Sequence, residues 1–294
     1  MKKLLLLSGL IFATSSVLSE LSPCEGESKE WSNCFGTELY DSGEYKGEYL
    51  SGKSHGQGTY LWESGNKYIG SFKKGVIQGQ GTFIWTNGDK YEGEFKDNKM
   101  YGQGVKTKVR GTEIVRMVGE FKDGELNGKG TVTLAIGGDK VVSIGEFKSG
   151  FLHGQGEITN SSGDKTKGEF KNGELHGQGE ITDGDGTILS KGEWKEGKLD
   201  GKCYFVLGHK TNTGMYFGDV NREGVYYDGT CKNAKAHGRG IIAFPDGGYL
   251  EGEFMNGNAH GQVTQIFASI GTFEGKVENG EPVYGTFKRR ATGE

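Results

Sequence analysis

Proline is almost missing from this chain, with 3 in 294 residues. Past residue 12, no apolar run approaches the roughly 20 residues that a membrane helix needs. Cysteine stops at four, and neither sign of charge prevails: 35 basic against 39 acidic residues leave a formal charge of −4. Each shortage closes a class. A glycine-rich chain without proline is not collagen. A mildly acidic chain lacks the basic footprint that nucleic acid demands, so no nucleic-acid partner is expected.

What is abundant narrows the choice further. Glycine occupies 55 positions, alongside 16 Phe, 13 Tyr and 4 Trp. A disordered linker would lack those rings, and a helix bundle would lose about 1 kcal/mol at each interior glycine. An all-β chain, whose glycines serve turns and close backbone approaches, is what remains.

The N-terminus reads as a secretory signal over residues 1–19. Lys2 and Lys3 are followed by an apolar stretch from Leu4 to Phe12 and a small, polar segment ending at Ser19. Cleavage after Ser19 removes two lysines, leaving 33 basic against 39 acidic residues and a formal charge of −6. Leu21-Ser22-Pro23-Cys24 also permits a lipoprotein reading, against which Pro23 argues. The even cysteine count suits an oxidising compartment. Zinc is the rival use of four cysteines, but it favours closely spaced pairs. Here Cys24, Cys34, Cys203 and Cys231 are separated by 10, 169 and 28 residues, so the expectation is two disulfides, Cys24–Cys34 and Cys203–Cys231. The protein is therefore expected to be exported, either periplasmic or secreted.

An internal repeat organises the rest. Tyr45-Lys46-Gly47-Glu48-Tyr49 returns as Tyr68-Ile69-Gly70-Ser71-Phe72 and Tyr91-Glu92-Gly93-Glu94-Phe95, and in weaker form from Met117, Ser143, Thr166, Ser190, Tyr227, Leu250 and Phe273. The intervals are 23, 23, 26, 26, 23, 24, 37, 23 and 23 residues. Counted from each start as offset 0, glycine recurs at offsets 2, 7, 11, 13 and 20. Those offsets hold about forty of the 55 glycines. Two β-prone stretches separated by Gly/Asn/Asp segments in every period predict a meander of hairpins.

The pattern resembles the MORN repeat (membrane occupation and recognition nexus), with a consensus near YxGEWxxGxxHGxG, over residues 45 to about 285. The resemblance implies a single-layer, elongated antiparallel meander of about ten hairpins, roughly 95 Å long at two strands per repeat. Residues 20–44 would form an N-terminal cap with a half-repeat, because Gly36 and Gly43 keep the spacing of offsets 13 and 20. Trp31-Ser32-Asn33-Cys34-Phe35-Gly36 is similar to the start of exported bacterial members. Repeats 1–7 would then span 45–207, a degenerate insertion 208–226, repeats 8–10 227–285, and a tail 286–294.

At offset 4 stand Tyr49, Phe72, Phe95, Phe121, Phe147, Phe170, Trp194 and Phe254. They are expected to form a structural aromatic ladder, with a curved ligand groove as the alternative. Glutamate at offset 3 (Glu48, Glu94, Glu120, Glu146, Glu169, Glu193, Glu253) faces lysine at offset 5 (Lys73, Lys96, Lys122, Lys148, Lys171, Lys195, Lys232) in equal number. A solvated, salt-bridged face follows, and binding to anionic lipid, which would want an uncompensated basic stripe, is not expected. The one basic run, Lys288-Arg289-Arg290, is too short to specify a partner.

His55, His153, His176, His237 and His260 share offset 10. Equivalent positions lie two strands apart, about 9.5 Å, too far for one zinc ion. Turn-stabilising bonds to backbone are expected instead. No phosphate loop, nucleophile elbow or tuned carboxylate pair is present. The reading is thus a non-enzymatic, exported scaffold or protein-interaction module of the cell envelope, without cofactor or metal. Its partner would be a protein or a second copy of itself. The alternative is a glycan- or lipid-binding module.

Overall fold

The computed structural model describes residues 21–207 and 224–290. The expected signal segment 1–19, residues 208–223 of the expected insertion and residues 291–294 of the expected tail lie outside the described residues. The described chain is all-β, a 21-stranded antiparallel sheet with a single 3-10 turn at Ser28–Glu30.

Two compact units divide it: Met1–Val109 with Phe121–Gly124, and Arg110–Glu120 with Glu125–Glu294. The first unit begins with β1 (Cys34–Tyr40). Three hairpins follow: β2 (Gly43–Leu50) with β3 (Lys53–Trp62), β4 (Lys67–Lys73) with β5 (Val76–Ile84), and β6 (Lys90–Lys96) with β7 (Lys99–Arg110). Each of these strands pairs antiparallel with the next. β8 (Glu113–Lys122) crosses the division between the units.

The second unit continues with β9 (Glu125–Ile136), β10 (Asp139–Lys148), β11 (Phe151–Thr159), β12 (Lys165–Lys171), β13 (Glu174–Thr182), β14 (Ile188–Lys195) and β15 (Lys198–Val206). After residue 223 come β16 (Tyr226–Lys232), β17 (Lys235–Ala243), β18 (Tyr249–Met255), β19 (Asn258–Phe267), β20 (Gly271–Glu278) and β21 (Glu281–Arg289). From β9 onward each strand again pairs antiparallel with its successor. β21 runs through residues 286–289, which the sequence assigned to a tail. A tenth hairpin is therefore complete, because Gly285 still meets Gly275 in register.

The local chemistry explains the hairpins. Pairs such as Ser51-Gly52, Asn172-Gly173 and Asn279-Gly280 both take positive φ. That is the two-residue turn whose twist matches the flanking strands. Within most strand pairs glycine faces glycine: Gly47 lies opposite Gly58, Gly58 opposite Gly70, and Gly70 opposite Gly81, while Cys203 and Val263 take the glycine's place in β15 and β19. Rings fill the space so created. A Cβ on Gly81 would sit 2.5 Å from Tyr68 Cε2.

The core has two halves, and offset 4 is only one of them. Tyr49, Phe72, Phe95, Phe121, Phe147, Phe170, Trp194 and Phe254 are all buried. Interleaved with them are the offset-0 tyrosines Tyr45, Tyr68 and Tyr91, which are essentially inaccessible. Tyr68 stands edge-on to Phe72 at 5.1 Å and to Phe95 at 5.0 Å, and Tyr91 edge-on to Phe95 at 5.1 Å and Phe121 at 5.0 Å. Each phenol hydroxyl donates to a backbone carbonyl three residues on: Tyr45 to Glu48 at 3.0 Å, Tyr91 to Glu94 at 3.0 Å. Burial pushes these phenols well above their ordinary range.

In four of the hairpins whose offset 0 is not tyrosine, offset 9 takes over. Hairpins starting at Met117, Ser143, Thr166 and Ser190 bury Leu126, Leu152, Leu175 and Leu199. Leu152 Cδ2 lies 2.8 Å from where a Cβ on Gly156 would be, the place a tyrosine ring occupies in the first unit. Tyrosine hairpins carry Ser54, Ile77, Met100 or Ala236 at offset 9 instead. Where a hairpin carries a glycine pair, an apolar group covers it, delivered from either strand.

Candidate functional site

No group of three or more His, Cys, Asp or Glu side chains placed to hold a metal ion occurs among the described residues. The four cysteines form the two expected disulfides, Cys24–Cys34 with Cα atoms 5.0 Å apart and Cys203–Cys231 with Cα atoms 5.9 Å apart. Both suit an oxidising compartment outside the cytoplasm. A Cys24 sulfur shared with Cys34 has no valence left for a lipid anchor. Cys203 occupies a glycine position of its hairpin, and Cys231 the next hairpin's offset 4. The covalent bond thus stands in for a ring packed on glycine.

The histidines depart from expectation. Nδ1 of His55, His153, His237 and His260 is buried with no hydrogen-bond partner. The backbone does the bonding at this position: the His55 carbonyl accepts from Tyr45 Oη at 3.3 Å, and the His237 carbonyl accepts from Thr230 Oγ1.

The Glu and Lys ladders are also corrected. None of the ion pairs among the described residues joins the seven offset-3 glutamates to the seven offset-5 lysines. The glutamates turn instead toward the β-bulge of their own hairpin. Glu48 Oε1 accepts the Gln57 N–H at 2.9 Å, and Glu94 Oε1 the Gln103 N–H at 3.2 Å. Gly56, at φ +58°, leaves room for that carboxylate, since a Cβ there would lie 2.5 Å from Glu48 Cδ. A backbone N–H freed by a bulge and lying within reach offers a better partner than an exposed ammonium two residues along the strand. Only the last hairpin pairs these positions, with the charges reversed: Lys276 Nζ is 2.8 Å from Glu278.

A second row of rings was not anticipated. Tyr60 lies opposite both Tyr45 and Tyr68, so it shares their face. There Tyr60 and Trp62 lie 4.6 Å apart, Trp62 and Phe83 5.1 Å, and Phe83 and Trp85 4.5 Å, with interplanar angles between 38° and 49°. Tyr40 extends the row, 6.3 Å from Tyr60 and 42% exposed. The other four rings are half-buried. Lys106 Nζ closes the far end, 5.5 Å above Trp85, and Glu38 the near end, accepting from Tyr40 Oη. Partial burial and that bond push the Tyr40 phenol up to about 12. The signal was present in the sequence, as aromatic residues at offsets 15 and 17 of the first two repeats.

The buried offset-4 ladder offers no surface to a ligand, so the groove built from it is withdrawn. In the second unit a shallow recess between Val225, Phe244, Pro245, Asp246, Ile266 and Phe267 carries no cluster of chemistry-bearing groups. Tyr204 and Tyr226 stack 5.4 Å apart, with Lys191 Nζ 5.6 Å from the Tyr204 ring.

Compared with known families, the chain is matched by the model described as MORN repeat at nine segments: residues 45–67, 68–90, 91–113, 118–138, 144–165, 167–188, 191–207, 227–249 and 251–267. These cover more than half of its length. The hairpin of β20 and β21 lies beyond the last matched segment. No curated protein matches the chain.

Proposed function

The chain belongs to the MORN repeat family, and from that premise we propose that it is a non-enzymatic interaction scaffold of the cell envelope, exported to the periplasm or secreted. Its protein partner docks on the ring row Tyr40, Tyr60, Trp62, Phe83 and Trp85 of the first unit. The observation that carries this reading is the burial contrast on one sheet face. Offset-0 and offset-4 rings are sealed, while five contiguous rings on the same face keep part of their surface in water. Tyr and Trp in that state supply large contact area at low entropic cost and dominate protein interfaces. The two disulfides and the signal-like segment 1–19 support export.

The test is capture of the envelope partner by the native protein and by a Trp62→Ala/Phe83→Ala variant whose thermal unfolding is unchanged. Loss of capture by the variant supports the reading, and undiminished capture contradicts it. The half-exposed rings equally favour a second reading, a glycan stacked on the row. A glycan array probed with both proteins separates the two, since only that reading predicts ring-dependent array signals.

A further inference from the structure

Strand register fixes the spacing of the ring row in the first unit. Glu38 lies opposite Tyr45, and Tyr45 opposite Tyr60. Tyr68 joins Tyr60 to Phe83, and Tyr91 joins Phe83 to Lys106. Opposed residues share a face, so Glu38, Tyr60, Phe83 and Lys106 stand in one line across β1, β3, β5 and β7. Successive members are two strands apart, about 9.5 Å. Trp62 and Trp85, each two residues along its strand, repeat that step beside the line and lean on Phe83.

That step discriminates among the forms a docking chain can take. An α-helix turns every 5.4 Å or so, about half the step. Three residues of an extended strand cover about 10 Å, but the third points to the opposite side. A polyproline II helix has three residues per turn at about 3.1 Å each, so one side returns about every 9.3 Å. From Glu38 to Lys106 its mismatch with the line stays below about 1 Å.

Hydrogen-bond donors and charge agree with such a ligand. The indole N–H of Trp31 donates to Gly26 O at 3.2 Å and that of Trp194 to Gly179 O at 3.0 Å. Among the described residues no acceptor takes the indole N–H of Trp62 or Trp85. A polyproline II chain makes no internal hydrogen bonds, so its carbonyls are free to accept them. One end of the line is the Glu38 carboxylate. The other is basic, with Lys106 and, two residues on, Lys108. The five residues between the two ends are all aromatic.

We propose that the ring row takes a proline-rich segment of the partner in the polyproline II form, lying across the strands. A basic residue of that segment meets Glu38, one proline Tyr60 and Trp62, a second proline Phe83 and Trp85, and an acidic residue the lysine end, each three residues after the last. The proposal rests on the ring row being the docking surface and specifies what docks there. Such a segment is already ordered when free, so its docking costs little conformational entropy.

Fluorescence anisotropy of the intact protein with the labelled peptide Arg-Pro-Ala-Pro-Pro-Ala-Pro-Pro-Ala-Glu tests it. Saturable binding is expected, weakened at least tenfold by Trp62→Ala/Phe83→Ala. Inserting one alanine between the fourth and seventh peptide residues should weaken it as much. Glu38→Gln keeps an acceptor for the Tyr40 hydroxyl and should weaken binding about fivefold. Replacing the peptide's arginine with glutamine should do the same, and the two changes together should cost no more than either alone. Binding that tolerates the insertion, ignores the ring substitutions or shows no coupling at Glu38 overturns the proposal. Absence of binding up to millimolar peptide, with envelope capture still ring-dependent, overturns it and leaves the docking surface standing. Absence of binding together with ring-independent capture overturns both. Ring-dependent glycan-array signals without peptide binding would assign the row to a sugar.

Discussion

A methyl group on Gly81 is the smallest perturbation that reaches the heart of this fold. The added carbon would lie 2.5 Å from both Cε2 and Cζ of Tyr68, a ring with no exposed surface. Tyr68 cannot retreat, because Phe72 and Phe95 hold it edge-on at 5.1 and 5.0 Å. Expelling the ring forfeits about 2–3 kcal/mol of burial and two edge-to-face contacts of about 0.5–1.5 kcal/mol each. Keeping it in place strains the hairpin by about 1–3 kcal/mol. Alanine returns about 0.5–1 kcal/mol by stiffening the unfolded chain. The expected net cost of Gly81→Ala is about 2–4 kcal/mol. Tyr68→Ala alone should cost about 3–5 kcal/mol, and the double variant scarcely more, since the methyl then meets no ring. The coupling energy should therefore equal most of the glycine's cost. Chemical denaturation followed by tryptophan fluorescence and far-UV circular dichroism measures it, with coincident curves as the check on two-state behaviour. Gly75→Ala is the control: nothing lies within 4 Å of its Cβ site, and only its φ of +85° is strained, at about 1–2 kcal/mol. Additive costs at Gly81 and Tyr68, or a neutral Gly81→Ala, would refute the ring-on-glycine account.

Further outcomes follow from the same geometry. Leu175→Ala should cost about 2–4 kcal/mol, and adding Thr166→Tyr should recover part of it by converting a leucine hairpin into a tyrosine one; no recovery in a denaturation series contradicts the exchange. The Tyr227 phenol, raised to about 12 by burial, favours the fold fully below pH 10, where an unfolded tyrosine is also neutral. That contribution is lost as pH rises from about 10 to 12, so ultraviolet titration should show Tyr227 ionising together with an alkaline loss of stability. Mass measurement under non-reducing conditions should find no free thiol. Reducing the Cys203–Cys231 bond, which closes a loop of 28 residues, should cost about 3–4 kcal/mol.

The hairpin array was legible because its signals are periodic and backbone-driven. Glycine at offsets 2 and 13 can be counted, and the register it implies, Gly47 opposite Gly58 opposite Gly70, is the one observed. The offset-4 ladder was legible as core for the same reason. Its other half was harder to see, since the covering group alternates between offset 0 and offset 9, and neither Tyr68 nor Leu152 repeats throughout. Charge patterning misled in another way. Glu48 and its equivalents alternate with lysines along the strand, yet a bulge places a backbone donor beside the carboxylate, and bulges leave no mark in a charge pattern. The tail reading failed because Gly285 sits one residue early for its offset, although Phe273 still covers it: a Cβ on Gly285 would lie 2.5 Å from Phe273 Cε2. The ring row of Tyr60, Trp62, Phe83 and Trp85 occupies only two repeats, so a search for what every repeat shares passes over it.

Site-specific photo-crosslinking in the native envelope tests the docking surface most directly. A crosslinking side chain placed at Trp62 or Phe83 probes the ring row, and one at Leu61 or Ile69, both exposed, probes the opposite face of the same part of the sheet. One discrete adduct is expected from Trp62 and Phe83 and none from Leu61 and Ile69. Adducts from Leu61 and Ile69 alone, or equally from both faces, would contradict that docking surface.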